Sequence, residues 1–142
     1  MSKSRRIKPA LTQLGWKEDV HLPDLQIAAM VAKVDTGARS SALHAEAISI
    51  SGRHVLFRLG GKRHKLKLAG TKRIKSSNGH SEVRPMIETE IMLGALSFPV
   101  EVTLTDRTDM GVPMLLGREA IKGRFLVNAA KTFILSRKPK SK

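Results

Sequence analysis

An apolar run, Val31-Ala-Lys-Val34, leads straight into Asp35-Thr36-Gly37. A carboxylate at the end of a strand is held by a rigid element, where acid–base chemistry is best positioned. Thr36 supplies a hydroxyl able to fix its neighbours by hydrogen bonding. Gly37 lets the backbone turn sharply or approach another group closely. The same tripeptide also fits a plainer role: a strand ending in an Asx-type turn, with Asp35 capping its own backbone. Lys33 lies two residues before Asp35, so both project from one strand face. An ammonium there favours the ionised carboxylate and lowers its pKa. Lys33 then acts as a catalytic partner, binds a substrate carboxylate, or snorkels to solvent.

Other chemistries are poorly supplied. The absence of cysteine removes disulfides, thiolate metal sites and a cysteine nucleophile. The five histidines, His21, His44, His54, His64 and His80, form no His-Glu-x-x-His and no close pair with ligand spacing. No Gly-x-x-x-x-Gly-Lys-Ser/Thr loop occurs. The expectation is a site built from protein groups alone, without metal or cofactor.

A chain of 142 residues with 41% hydrophobic content suits one domain with its own core. Apolar runs fall short of the roughly 20 residues that cross a bilayer. Met1–Lys8 carries charge with no apolar segment behind it, so a secretory leader is not expected and the cytoplasm is the expected compartment. Lys and Arg number 26 against 12 acids, a formal charge of +14. Such a field draws acidic peptides, nucleic acid or anionic surfaces and speeds their encounter. It does not choose among them.

The Asp35 loop needs a frame, and the chain reads as many short strands. Residues 1–12 read as a basic arm, 13–136 as the domain and 137–142 as a basic tail. Leu22-Pro-Asp24 marks a turn. Ile27–Val34 suits a buried strand, and Ser41–Ala45 a short strand or turn. Ala47–Leu59 alternates in two halves around Ser51-Gly52, a hairpin pattern. Lys62–Lys75 is the most basic stretch, with Leu66, Leu68 and Ile74 implying strands whose cationic faces are solvated. Gly60–Gly79 is the candidate for a closing flap, and equally for an ordinary hairpin. Asn78-Gly79 closes a turn. Val83–Leu93 and Phe98–Leu104 pair through Gly94-Ala95, with Val100, Val102 and Leu104 on one face and Glu101 and Thr103 on the other. Val112–Gly123 holds a short apolar run, a Gly-Arg break and a turn or two of helix. Phe125–Asn128 and Thr132–Leu135 read as short strands. The sum is an all-β barrel or sandwich with one short helix.

Two pieces of this chain belong together. Asp35-Thr36-Gly37-Ala38, followed much later by Met114-Leu115-Leu116-Gly117-Arg118-Glu119-Ala120-Ile121, resembles the paired motifs of retropepsin-like aspartic peptidases. Longer stretches are similar to a narrower bacterial family, labelled ATP-dependent zinc proteases and associated with the ligase that adds glutamates to a ribosomal protein. These stretches are Ala32–Ala45, Arg73–His80 with Arg84, Leu104–Met110, and Pro113–Arg118. The resemblance runs from about Trp16 to Leu135. It implies a single-lobe retropepsin/pepsin-like acid-protease barrel in which Ala38, Leu115, Leu116 and Gly117 support the active-site loop. It implies catalysis by Asp35 with Thr36 and Gly37, and Lys33 beside them. One Asp-Thr-Gly supplies one carboxylate, so a shared-proton pair requires a homodimer with two Asp35 residues meeting on a twofold axis.

Two cations depart from the wider family. Simple retropepsins resemble this chain except for an apolar residue at the position of Lys33 and an acid at that of Arg39. There the acid pairs with the arginine matched here by Arg118. Arg39 and Arg118 instead call for another anion: Glu46, Asp109 or Glu119 within the chain, or an acidic substrate. The resemblance therefore implies a substrate-binding set of Arg39, Ser40, His44, Arg73, Ser77, Asn78, His80, Arg84, Arg107 and Arg118. The expected substrate is an acidic, oligoglutamate-tailed protein, and the expected functional partner is the glutamate ligase. The zinc and ATP labels find no matching residues.

A competing class is a non-catalytic basic module that sits on RNA or the ribosome through phosphate contacts, or that regulates the ligase. With four Phe and one Trp, the chain lacks the stacking platform of single-strand binders, so any nucleic-acid binding is expected to be nonspecific. A catalytically dead lobe is the third class, and the intact Asp35-Thr36-Gly37 weighs against it.

Overall fold

The computed structural model describes residues 11–75, 79–106 and 111–136. Its strands are β1 (Thr12–Gly15), β2 (Lys17–Leu22), β3 (Ile27–Val34), β4 (Ser41–His44), β5 (Glu46–Ser51), β6 (His54–Leu59), β7 (Lys62–Lys67), β8 (Gly70–Lys75), β9 (Ser81–Leu93), β10 (Leu96–Thr105), β11 (Met114–Leu116) and β12 (Phe125–Asn128). A 3-10 turn, Pro23–Leu25, joins β2 to β3, and one helical turn, α1 (Arg118–Ile121), follows β11.

Hydrogen bonding runs β10-β4-β11-β3-β2-β9, and β9 pairs back to β10, so six strands close into a barrel with β8 as a flange on β9. Strand alternation builds the interior. Ala32 and Val34 of β3 point inward while Lys33 points out, and Met114 and Leu116 of β11 are fully enclosed. They join Leu43, Ile87, Ile91, Val102 and Leu104 in one apolar cluster. Each such aliphatic side chain contributes roughly 1.5–3 kcal/mol on burial. The result is an all-β acid-protease-type barrel with one short helix, as expected.

Two smaller sheets complete the fold. β5, β6 and β7 form an antiparallel three-stranded sheet, and β1 pairs in parallel with β12. The hairpin at Ser51-Gly52 and the β9–β10 pair through Gly94-Ala95 form where the turn residues put them. On β10, Val100, Val102 and Leu104 face the core, and Glu101 is exposed. Thr103 alternates away from them yet is also buried, its hydroxyl donating to the Ser41 carbonyl at 3.3 Å.

The carboxyl-terminal stretch departs from expectation. Thr132–Leu135 is not a strand. The Phe133 N–H donates to the Lys17 carbonyl at 2.8 Å, and the Ile134 and Leu135 N–H groups are taken by a carboxylate. Glu18 on β2 is 0% exposed and accepts the N–H groups of Gly15, Ile134, Leu135 and Ser136, together with the Ser136 hydroxyl at 2.7 Å. Burial alone pushes this carboxyl up. The Ser136 hydroxyl and the N–H groups of Gly15, Ser136 and Leu135 outweigh it and hold the group below the usual glutamate value. Glu18 thereby fastens the end of the described chain to β1 and β2.

Among the described residues no helix is long and apolar enough to cross a membrane.

Candidate active site

β3 delivers Asp35 to the edge of the barrel. The Val34 N–H bonds to the Trp16 carbonyl and the Asp35 N–H to the Leu116 carbonyl, both at 2.8 Å, so neighbouring segments on each side fix where the strand ends. The chain then turns, with the Ala38 N–H donating to the Asp35 carbonyl at 3.1 Å. The Gly37 N–H donates to Asp35 Oδ1, also at 3.1 Å. The Asx-type turn and the presented carboxylate are thus one geometry rather than alternatives. Among the described residues this is the one hydrogen bond to the Asp35 carboxylate, which is half-buried and otherwise open to accept or donate.

Gly37 does not adopt a left-handed backbone. Its lack of a side chain matters for another reason: an added Cβ would stand 3.3 Å from Asp35 Oδ1 and crowd the carboxylate itself.

The second motif packs against the first through its backbone. β11 runs parallel to β3, with Leu115 beside Lys33 and Leu116 beside Val34. Beyond it, the Arg118 N–H donates to the Ala38 carbonyl at 2.8 Å and the Glu119 N–H to the Arg39 carbonyl at 3.1 Å. The Gly117 N–H is received by the buried Ser41 hydroxyl at 3.1 Å. A Cβ on Gly117 would overlap the Ser40 carbonyl and lie 2.8 Å from the Arg39 carbonyl, so only glycine fits this crossing. Ala38, Leu115, Leu116 and Gly117 all lie at this junction of the two segments.

The two arginines find separate partners, a backbone carbonyl for one and a carboxylate for the other. Arg118 Nη1 donates to the Thr36 carbonyl at 3.0 Å, bracing the loop from its own side. Arg39 pairs with Glu119 at 3.6 Å, with both side chains about two-thirds exposed. Glu46 pairs with Arg58 instead. Thr36, Arg39, Arg118, Glu119, Ile121 and Lys122 line an open cleft of about 520 Å³. A neighbouring cleft of about 180 Å³ includes Ser40, Ser41, Lys72, Glu119 and Arg124. Lys72, Lys122 and Arg124 have no motif to mark them in the sequence; Lys122 follows α1 directly, and Lys72 comes from the sequence-distant β8. Arg124 is held over the Phe98 ring at 4.1 Å.

The remaining expected residues lie on other elements. Lys33 is exposed and opposes Lys17 across β2 and β3; it forms no ion pair with Asp35. His44 ends β4, where its N–H meets the Pro113 carbonyl at 2.9 Å. Arg73 lies exposed on β8, and His80 immediately precedes β9. Arg84 is buried on β9 and ion-paired to Glu82 at 2.9 Å. Ser77, Asn78, Arg107 and Asp109 lie outside the described residues. No three His, Asp or Glu side chains among the described residues are grouped so as to hold a metal ion.

Comparison with known proteins agrees with this frame. Residues 58–138 match the family described as RimB-like, "Retropepsin-like aspartic endopeptidase RimB"; this span includes Leu115–Arg118 and begins after the Asp35 loop. A protein from Shewanella pealeana named "Probable alpha-L-glutamate ligase" is 39% identical over 137 residues, covering 88% of this chain and 30% of that protein. One of the same name from Parasynechococcus marenigrum is 35% identical over 127 residues, covering 81% of this chain and 27% of the other. The chain thus spans less than a third of the length of these curated relatives. A crystal structure of a Legionella pneumophila protein of unknown function superposes with a TM-score of 0.74 at 30% identity, covering 89% of this chain and 99% of that one. The chain belongs to the RimB-like family of retropepsin-like aspartic endopeptidases.

Proposed function

We propose that this chain is a peptidase that hydrolyses acidic, oligoglutamate-bearing protein segments with Asp35 as the reacting carboxylate. The observation that carries this is the Asp35 carboxylate itself. It stands at a strand end fixed from both sides, with the Gly37 N–H on its Oδ1 and an open cleft beside it.

Two copies of the chain supply the pair. One Asp35 carboxylate is ionised and accepts a proton from water as the water oxygen attacks the peptide carbonyl carbon. The other is protonated and donates to the carbonyl oxygen. Collapse of the tetrahedral intermediate breaks the C–N bond, and the amine leaves with a proton returned from the pair. Products are one carboxylic acid and one amine, with one water consumed. Apolar Leu11, Leu126 and Ile134, exposed around the β1–β12 sheet, supply surface for the second copy.

The cleft supports an acidic substrate. Arg39 and Lys122 line it, and its one acid, Glu119, is already engaged by Arg39. A substrate carboxylate would exchange with Glu119 on an exposed guanidinium, which costs little. The similarity to proteins named for a glutamate ligase supports a functional link between such an activity and the ligase.

The test uses the purified chain with oligo-α-glutamate and with a neutral peptide of equal length, read by mass spectrometry. Selective cleavage of the acidic peptide is expected. Mixing in excess Asp35→Asn subunits should suppress the activity of the unmodified ones, because mixed pairs hold one carboxylate. Absence of cleavage would remove the peptidase reading. Activity that merely dilutes on mixing would remove the two-chain site.

A further inference from the structure

The geometry points to an acidic-peptide docking edge on β7, where an extended chain adds as a fourth strand to the β5–β6–β7 sheet. Among the described residues β7 is an outer strand of that sheet, and it belongs to a different sheet from the strands that lead to Asp35 and Arg118. An outer strand presents unpaired backbone N–H and C=O groups, which an incoming extended peptide satisfies.

The side chains fix which peptide fits. β7 reads Lys62-Arg63-His64-Lys65-Leu66-Lys67, and its burial alternates. His64 and Leu66 turn inward, with His64 stacked on Phe57 at 5.4 Å between ring centres. Arg63, Lys65 and Lys67 turn outward and are exposed. Across the ladder they register with Arg58, Leu56 and His54 of β6. Neither β6 nor β7 contains an acid, and Glu46 on the far strand β5 is already paired with Arg58 at 3.1 Å. The outward face is therefore cationic with no local counter-charge on its two nearer strands.

The spacing matches a strand partner. Alternate residues of a strand stand about 6.6–6.8 Å apart. An extended acidic peptide places its same-face carboxylates at that interval, so one such face meets Arg63, Lys65 and Lys67 in succession. Charges on long surface side chains contribute little singly, and a row of three contributes together with the backbone bonds. A nucleic-acid strand would meet the charges but leave the edge backbone unpaired, and the outward residues of β6 and β7 offer no Phe, Tyr or Trp for stacking. The choice of glutamate-rich ligand rests on the proposed substrate; the edge itself does not.

Binding is measured by fluorescence polarisation at physiological ionic strength, in the Asp35→Asn background so that cleavage plays no part. The probe is labelled oligo-α-glutamate. Replacing Arg63, Lys65 and Lys67 together by Thr, which keeps strand propensity, should weaken binding at least tenfold. Exchanging the same residues within the cations (Arg63→Lys, Lys65→Arg, Lys67→Arg) should retain it within about threefold, showing that charge and not misfolding is read. Oligoglutamate N-methylated at alternate residues keeps every carboxylate and loses strand bonding, and should bind at least fivefold more weakly. Equal affinity of the threonine variant, or of the N-methylated probe, would overturn the docking edge. So would a single-stranded RNA of equal charge that binds more tightly than the peptide and depends on the same three residues. Binding at β7 without any hydrolysis by the unmodified protein would leave the edge standing while the peptidase reading fell.

Discussion

Two carboxylates in this chain sit in opposite circumstances. Glu18 is sealed at 0% exposure and receives four backbone N–H groups and one hydroxyl. Asp35 is half-buried and, among the described residues, receives one N–H, on Oδ1. A carboxylate whose lone pairs are filled by fixed donors is held ionised and has no room for a proton or a substrate. One held by its backbone, with its side chain left open, has both. Position is fixed with equal rigor in the two cases; what differs is whether the hydrogen bonds are spent on the side chain or on the chain around it.

The first way to break the comparison is to remove the charge that does structural work. Glu18→Gln turns an acceptor toward the Gly15, Ile134, Leu135 and Ser136 donors into a partial donor, stranding buried N–H groups at roughly 1–3 kcal/mol each. Urea unfolding should show a loss of about 4 kcal/mol. A change below 1 kcal/mol would mean that Glu18 is not the fastening it resembles.

Next comes the packing beneath Asp35. Gly117→Ala drives a Cβ into the Ser40 carbonyl, which the backbone must move to relieve. A cost of about 2–3 kcal/mol in unfolding free energy is expected, together with loss of hydrolysis because Ser40 and Arg39 carry the loop. Unchanged stability would show that the two motifs are not in contact as described.

The acid limb sharpens the contrast at a smaller scale. The folded-state pKa of Glu18 lies below its unfolded value of 4.5, so the unfolded chain takes up its proton first as pH falls. The stabilisation from Glu18 is complete above the unfolded value and is lost as pH drops through the folded one. Its slope there is at most about 1.4 kcal/mol per pH unit. Urea midpoints of the unmodified chain should decline more steeply below pH 4.5 than those of Glu18→Gln. Parallel curves would contradict the assignment.

The legibility of these regions differs for physical reasons. The Asp35 loop and the Leu115–Arg118 piece were readable because their chemistry is local: an apolar run, a turn, a glycine. The β5–β6 and β9–β10 hairpins were readable from alternation and their turn residues. Glu18 was not singled out, since Lys17-Glu18-Asp19 looks like a solvated stretch and β2 hides among its charges. Apart from Gly15, the donors that make that glutamate structural lie 116–118 residues away in sequence. For the same reason the apolar run in Thr132–Leu135 reads as a strand, while the Ile134 and Leu135 N–H groups turn to a carboxylate. Lys72 reaches its cleft by tertiary packing from β8, which no local pattern records.

The smallest expected effect is on the exposed pair beside the loop. Arg39→Gln should change unfolding free energy by less than about 0.5 kcal/mol, as exposed ion pairs do. It should weaken turnover of the acidic peptide relative to the neutral one by a few-fold. A stability loss above 1 kcal/mol would place Arg39 in the frame rather than at the cleft.

The central claim is that Asp35 is the reacting carboxylate, and Asp35→Asn tests it most directly. The substitution keeps the size of the side chain and an oxygen for the Gly37 N–H. Hydrolysis of oligo-α-glutamate, followed by mass spectrometry, should fall by roughly 10²–10⁴-fold, while the urea midpoint stays where it was. Cleavage at the unmodified rate by the Asp35→Asn chain would contradict the account.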